Sequence, residues 1–188
     1  MMRSLTVVAA VGALLNQQNN NKKKSRIITM CSQSNESKEM IKVNILTLKD
    51  AMKKALVHDG FSSADTDIIA DTILYAELRG NNQGIIKVVS KSLKSDPAAR
   101  DVTVMKETAV SAQLDAGRRI GMVAVHRGVD IAIEKAKLSG VAVVGINNYA
   151  SATGAIGYWA RKIAQENLVG IVMCQCEEMV APYGSYEV

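Results

Sequence analysis

Residues that could bind or transform a small molecule concentrate in three short stretches. The first is Arg79 to Gly84, with Lys87 three residues further on. The amides Asn81, Asn82 and Gln83 can hydrogen-bond a polar ligand, and Lys87 can attract a carboxylate. The second is Asn147 to Gly154, with hydroxyls at Tyr149, Ser151 and Thr153. It joins a strand end to a helix start, where free backbone N–H groups favour anions. The third follows an apolar strand and runs from Cys176 and Glu177 to Gly184. Strand–helix–strand units place ligand loops at the carboxyl ends of their strands. Val188 follows Gly184 by four residues, so the chain reads as the front of a site without its back. Each stretch also has a plain structural reading. The first suits a helix C-cap with solvated amides. The second suits a connection whose helix is capped by Ser151 or Thr153.

Other chemistry is absent. No glycine-rich phosphate loop follows a strand, and Gly154 to Gly157 lacks the dinucleotide spacing. No Gly-x-Ser-x-Gly elbow occurs. Cys174 and Cys176 read as small residues at a strand end, because their spacing does not match zinc pairs and no histidine lies nearby. The two histidines, His58 and His126, read as partly exposed helix residues.

Periodicity supplies the elements that must position these loops. Leu48 to His58 is helical, with Thr47 as N-cap and Gly60 past its end. Ser62 caps a second helix with Asp65 three residues on, and Gly80 stops it. Arg79 falls in its last turn, where a cation suits the helix dipole. A shorter amphipathic stretch runs from Ile85 to Leu93, and Asp96-Pro97 breaks it. Val102 to Leu114 alternates like two short strands joined near Lys106 and Glu107. Asp115 to Gly117 turns the chain. A long helix from Met122 to Leu138 ends at Gly140. Then come a strand (Val141 to Ile146), a helix (Ala155 to Asn167) and a strand (Leu168 to Cys174). The sum is an α/β body with a helical N-terminal layer, a β-hairpin and a helix–strand–helix–strand unit.

The net charge is +5, and the first 42 residues account for all of it. Residues 43–188 are balanced, without a basic stripe, which argues against a nucleic-acid partner. They could bury about two thirds of their unfolded surface, enough for a core. Arg3 precedes an apolar run from Leu5 to Leu15, followed by a Gln/Asn stretch and three lysines. The run is too short for a bilayer, which needs about 20 apolar residues. An acid-poor basic leader fits a plastid or mitochondrial transit peptide. A secretory signal fits less well, because the lysines follow the run and no small-x-small site follows Leu15. The alternative is an uncleaved, disordered tail on a cytoplasmic protein. The domain reading is therefore a targeting or disordered leader (1–42), a helical segment (43–100) and an α/β segment (101–188), incomplete at the C-terminus.

An ordered series of motifs resembles one family. Ala76 to Gly80 is similar to an Ala-Asp-Leu-Arg-Gly motif. Ala132 to Lys137 and Gly140 to Val144 are similar to its helix and following strand. Gly154 to Ala160 resembles Gly-Ala-Ala-Gly-Tyr-Tyr-Ala. Leu168 to Met173 and Met179 to Gly184 resemble a strand and a cofactor-side loop. From about Leu46 to Glu187 the chain thus resembles the first half of a malate/L-lactate dehydrogenase, of the non-Rossmann family that includes ureidoglycolate and sulfolactate dehydrogenases. The resemblance implies a truncated sulfolactate-dehydrogenase-like fold. It implies NAD- or NADP-dependent hydride transfer on a small 2-hydroxy or 2-keto acid, and a homodimer or a heterodimer with a full-length homologue. It also implies a substrate side formed by Arg79, Asn82, Gln83 and Lys87, and a cofactor side formed by Cys176, Glu177 and Gly184. The family's second loop reads Asn-His-Phe-Gly, whereas Ser151 to Gly154 puts Ala152 at the His position. Tyr149 and Ser151 are the remaining catalytic candidates there. The first loop usually reads Ser-His-Gly with an Arg after it. Here Asn82, Gln83 and Gly84 stand in that loop, and Lys87 takes the Arg position without its two-pronged grip.

Overall fold

The computed structural model describes residues 5–12, 27–31, 40–81 and 83–175. Two compact units form, one from residues 15–95 and one from residues 1–14 with 96–188. Their boundary at Ser95/Asp96 lies five residues before the one read from sequence.

The unit of residues 15–95 begins with an antiparallel pair, β1a (Ile27–Cys31) and β1b (Met40–Asn44). Helix α1 (Ile45–His58) follows. Its N-cap is Asn44, whose side-chain oxygen accepts from the backbone N–H groups of Leu46 and Thr47. Thr47, expected as the cap, lies inside the helix, because an Asn three residues earlier caps at least as well. Helix α2 (Ser63–Glu77) is capped by Ser62, which accepts from Asp65 N–H at 3.2 Å, as the sequence indicates. Leu48, Met52 and Leu56 of α1 and Ile69 and Ile73 of α2 are buried. Lys53–Asp67 and Lys49–Asp71 ion pairs join the two helices outside that core. The amphipathic stretch after Gly84 shrinks to one turn, α3 (Ile86–Val89).

The other unit contains a five-stranded sheet. Its members are β2 (Leu5–Gly12), β3 (Thr103–Glu107), β4 (Ser111–Asp115), β5 (Val141–Asn147) and β6 (Leu168–Cys174). Their order across the sheet is β3-β4-β5-β2-β6. Strand β4 is parallel to β5, whereas β2 runs antiparallel to both β5 and β6. The hairpin turn falls at Thr108 to Val110, not at Lys106 and Glu107. A bulge between Val104 and Lys106 shifts the register by one residue.

Helix α4 (Gly121–Ser139) and helix α5 (Ile156–Ala164) cover one face. Gly140, at φ 79°, closes α4 in the left-handed conformation that glycine adopts without a Cβ penalty. Alternation sorts the strands. Val8, Ala10, Ala112, Leu114, Ala142, Val144 and Ile146 are buried beneath the helices. The opposite face leaves Val141, Val143, Val169, Ile171 and Met173 between 41% and 55% exposed. Among the described strands β6 lies at one end of the sheet, beside β2.

Two parts of the segment read as a leader are strands, so disorder does not hold for Leu5–Gly12 or Ile27–Cys31. An apolar run rich in valine looks the same whether it precedes a cleavage site or lies in a sheet interior.

The connection leading into α4 is closed by Asp96. Its carboxylate accepts from Ala98 N–H at 2.8 Å and from the Arg118 guanidinium at 2.7 Å. The Ala98 backbone bond first, and Arg118 second, hold this carboxyl below its ordinary value. A lowered folded-state pKa stabilises at pH values above the unfolded pKa, and this contribution disappears as pH falls through the folded one. We expect Asp96→Asn to flatten the acid limb of the stability profile below roughly pH 4. Urea midpoints from pH 7 to pH 2 test this, and identical acid limbs for both proteins would refute it.

Candidate active site at the carboxyl ends of the parallel strands

The loop after β5 is held by backbone geometry rather than by side-chain caps. Asn148, Ser151 and Gly154 have φ values of 57°, 60° and 73°, so three residues between β5 and α5 adopt left-handed backbone. Residues 116–122 run alongside it. Arg118 N–H donates to the Asn148 carbonyl at 2.8 Å, Gly121 N–H to Ala150 at 2.9 Å, and Met122 N–H to Ala152 at 3.1 Å. The amino end of α4 thus engages loop carbonyls. A Cβ on Gly121 would lie 2.9 Å from the Ala152 carbonyl oxygen, a backbone atom that cannot swing away. Close approach here requires glycine.

Ala155 is the N-cap of helix α5 and no side chain caps that end, so neither Ser151 nor Thr153 has the capping role read from sequence. Thr153 is buried and directs its hydroxyl to the Cys174 sulfur at 3.6 Å. The Tyr149 hydroxyl also meets that sulfur, at 3.5 Å. Trp159, fully buried, donates its indole N–H to the Thr153 carbonyl at 2.9 Å. Asn148 Nδ2 donates to Asp115 Oδ1 at 2.7 Å, joining the ends of β4 and β5. Tyr149, Thr153 and Cys174 therefore converge where β5 and β6 end. Ser151 is exposed and Ala152 half-buried on the same loop. The side-chain oxygen of Asn147 is buried with no hydrogen-bond partner among the described residues. A buried acceptor to which no hydrogen bond is made costs about 1–3 kcal/mol.

Sequence reading identified Tyr149, Ser151 and Ala152 on this loop but missed Asn147 and the approach of Cys174. Asn147 closes the apolar strand and could have been flagged as the first polar residue at a carboxyl end. The approach of Cys174 is a long-range contact without a local signature. Cys176, Glu177 and Gly184 lie outside the described residues, as does Asn82.

In the other unit, the loop after α2 is tied down by Glu77, whose Oε2 accepts from Ile85 N–H at 2.8 Å. The Arg79 guanidinium lies 3.6 Å over the Tyr75 ring and donates to the Tyr75 carbonyl at 3.1 Å. Gln83 N–H bonds the Asn81 side chain at 2.9 Å, a local turn. Lys87 is half-buried in α3. This bonding has the character of a helix terminus.

The histidines lie elsewhere. The His58 ring is largely exposed beside Asp59. His126 on α4 approaches Lys162 of α5 at 3.1 Å, and Lys162 bonds Asp130 at 2.6 Å. The His126 ring meets Trp159 edge-on. This cluster links α4 and α5 and reaches Trp159, whose indole bonds Thr153 on the strand-end loop. A shallow depression lined by Lys106, Gln113, Val143 and Gly145 lies along the open face and contains none of the candidate residues. Among the described residues there is no group of side chains that could hold a metal ion and no helix long and apolar enough to cross a membrane.

Polar side chains gathered at parallel-strand carboxyl ends occupy the place where α/β proteins carry their ligand loops. The particular family follows from comparison. The malate/L-lactate dehydrogenase family model matches residues 43–188, and the chain belongs to that family. It is 33% identical over 157 residues to the ureidoglycolate dehydrogenase (NAD(+)) of Escherichia coli O157:H7, covering 79% of this chain and 44% of the relative. It is 30% identical to the L-sulfolactate dehydrogenase of Methanothermobacter thermautotrophicus, covering 71% and 40%. The solved malate dehydrogenase of Pyrococcus horikoshii OT3 superposes with a TM-score of 0.60 at 26% identity, over 73% of this chain and 40% of that one. The chain spans less than half the length of these relatives.

Proposed function

We propose that this chain carries the amino-terminal part of a nicotinamide-dependent oxidoreductase scaffold for small 2-hydroxy or 2-keto acids, with Ala152 standing where the family uses a catalytic histidine. The observation that carries the reading is the convergence of Tyr149, Thr153, Cys174 and the unpartnered Asn147 oxygen at one strand-end site. An acceptor beside hydroxyls suits the neutral parts of NAD or NADP, a carboxamide or ribose hydroxyls. When bound, such a cofactor supplies the hydride acceptor or donor. Asn147 would accept a hydrogen bond from it, Tyr149 and Thr153 would line its pocket, and Trp159 excludes water from beneath the loop. Lys87, Arg79, Asn82 and Gln83 are the proposed carboxylate and hydroxyl contacts, and Cys176, Glu177 and Gly184 the proposed cofactor-side loop.

Proton removal is the weak step. A positioned general base typically contributes 10²–10⁴ in rate, and alanine cannot replace it. We expect measurable NADH or NADPH binding by titration calorimetry, with 340 nm turnover on a keto-acid panel at least about 10²-fold below family members with the imidazole. Absence of binding to either nucleotide overturns the cofactor assignment, and full turnover overturns the role given to position 152. Asn147→Ala should weaken nucleotide binding about tenfold, the loss of one hydrogen bond, without lowering the melting temperature. An unchanged affinity would remove Asn147 from the site.

A second reading is favoured by Ala152 and by the exposed apolar sheet face. In it the chain is non-catalytic and pairs with a full-length relative. Size-exclusion chromatography with and without such a homologue separates the readings, since a mixed species forms only under the second.

A further inference from the structure

Strands β5 and β6 belong to one strand–helix–strand unit, yet they do not pair with each other. The crossover through α5 leaves a gap of one strand, so their axes lie roughly 10 Å apart, twice the ordinary strand spacing. Each has a row of backbone donors and acceptors facing that gap, and such rows need partners. Leu5–Gly12 fills it, pairing from Leu5↔Asn147 to Val11↔Val141 on one side and from Thr6↔Cys174 to Gly12↔Leu168 on the other. Its sequence suits the position. Val7, Val8 and Val11 are β-branched, and no charge or proline occurs between Leu5 and Leu15. Val8 and Ala10 are fully buried on the helix-covered face. The segment nevertheless lies outside residues 43–188, the part matched by the family.

We propose that the gap between β5 and β6 is a strand-acceptor site, and that its occupant in this chain is the chain's own segment Leu5–Gly12. The occupant is amino-terminal, far from both neighbours in sequence, and held by ladder bonds and two buried side chains. Extended in the gap, it is not available as a targeting signal. Removed with a leader, it leaves two facing apolar edges at the margin of the strand-end site, since Leu5 and Thr6 pair with Asn147 and Cys174.

Directly opposed residues on antiparallel strands have Cα atoms about 4.5–5.5 Å apart, within disulfide range. The test uses the full chain with Cys31, Cys174 and Cys176 changed to Ser, carrying Ala9→Cys and Ile171→Cys. These positions are register partners. A control carries Ala9→Cys and Met105→Cys, on the distant edge strand. Mild oxidation should link 9 to 171 within one chain at least about tenfold faster than 9 to 105, read by non-reducing electrophoresis and peptide mapping. Equal rates, or links only between chains, overturn the assignment of the occupant. Adding Val8→Pro should abolish the internal link. A synthetic peptide of residues 3–14 bearing Ala9→Cys should then link to Cys at position 171 in that variant. If the peptide links no faster to position 171 than to position 105, the gap is not an acceptor site. Cofactor binding enters neither readout, so this test stands or falls apart from the proposed oxidoreductase role.

Discussion

Val8→Asp is expected to destabilise the sheet-containing unit by at least about 3 kcal/mol, the scale of an uncompensated buried charge. Val8 is fully buried, at the register position opposite both Val144 and Val172. A carboxylate there either loses its hydration or takes up a proton, and both cost free energy. Ala9→Asp, on the open face of the same strand, should cost about 1 kcal/mol or less, as surface changes do. The contrast between neighbours is the informative quantity. A leader or tail would tolerate both changes equally, whereas a central strand distinguishes them by the pleat. Urea unfolding followed by far-UV circular dichroism measures both. A Val8→Asp protein within about 0.5 kcal/mol of the parent would remove β2 from the sheet.

Trp159→Ala should cost about 3–5 kcal/mol, the range for deleting a buried large aromatic side chain. Trp159 is fully buried between helix and loop, with Tyr158 packed edge-on at 4.8 Å and its N–H on the Thr153 carbonyl. Its loss leaves a cavity and an unpaired buried carbonyl beside the candidate site. Trp159→Phe separates these effects. It keeps most of the volume but not the donor, and should cost about 1–3 kcal/mol. If cofactor binding depends on the loop, both variants weaken it. Denaturant titration gives the stability, and a cost below about 1 kcal/mol for Trp159→Ala would show that the loop is held without the indole.

Much of the site's scaffold was legible because it is local. Strand Leu168–Cys174 and the caps Ser62 and Gly140 follow from alternation and from side chains or φ values within a few residues. Errors arose where two local signals competed. Asn44 outcompetes Thr47 as a cap. The bulge at Val104 to Lys106 displaces the turn. Thr153 uses its hydroxyl on Cys174 instead of capping α5. The family itself was legible from motif order.

Most helices and strands from Leu48 to Cys174, the family and the chemistry available on the loop from Asn147 to Gly154 could be read from local patterns, since each depends on residues close together in the chain. Only long-range packing put Leu5–Gly12 between β5 and β6, brought Cys174 to Tyr149 and Thr153, and left the Asn147 oxygen without a partner among the described residues. Those outcomes depend on which distant groups compete for the same backbone edge or buried donor, and no local pattern encodes that competition.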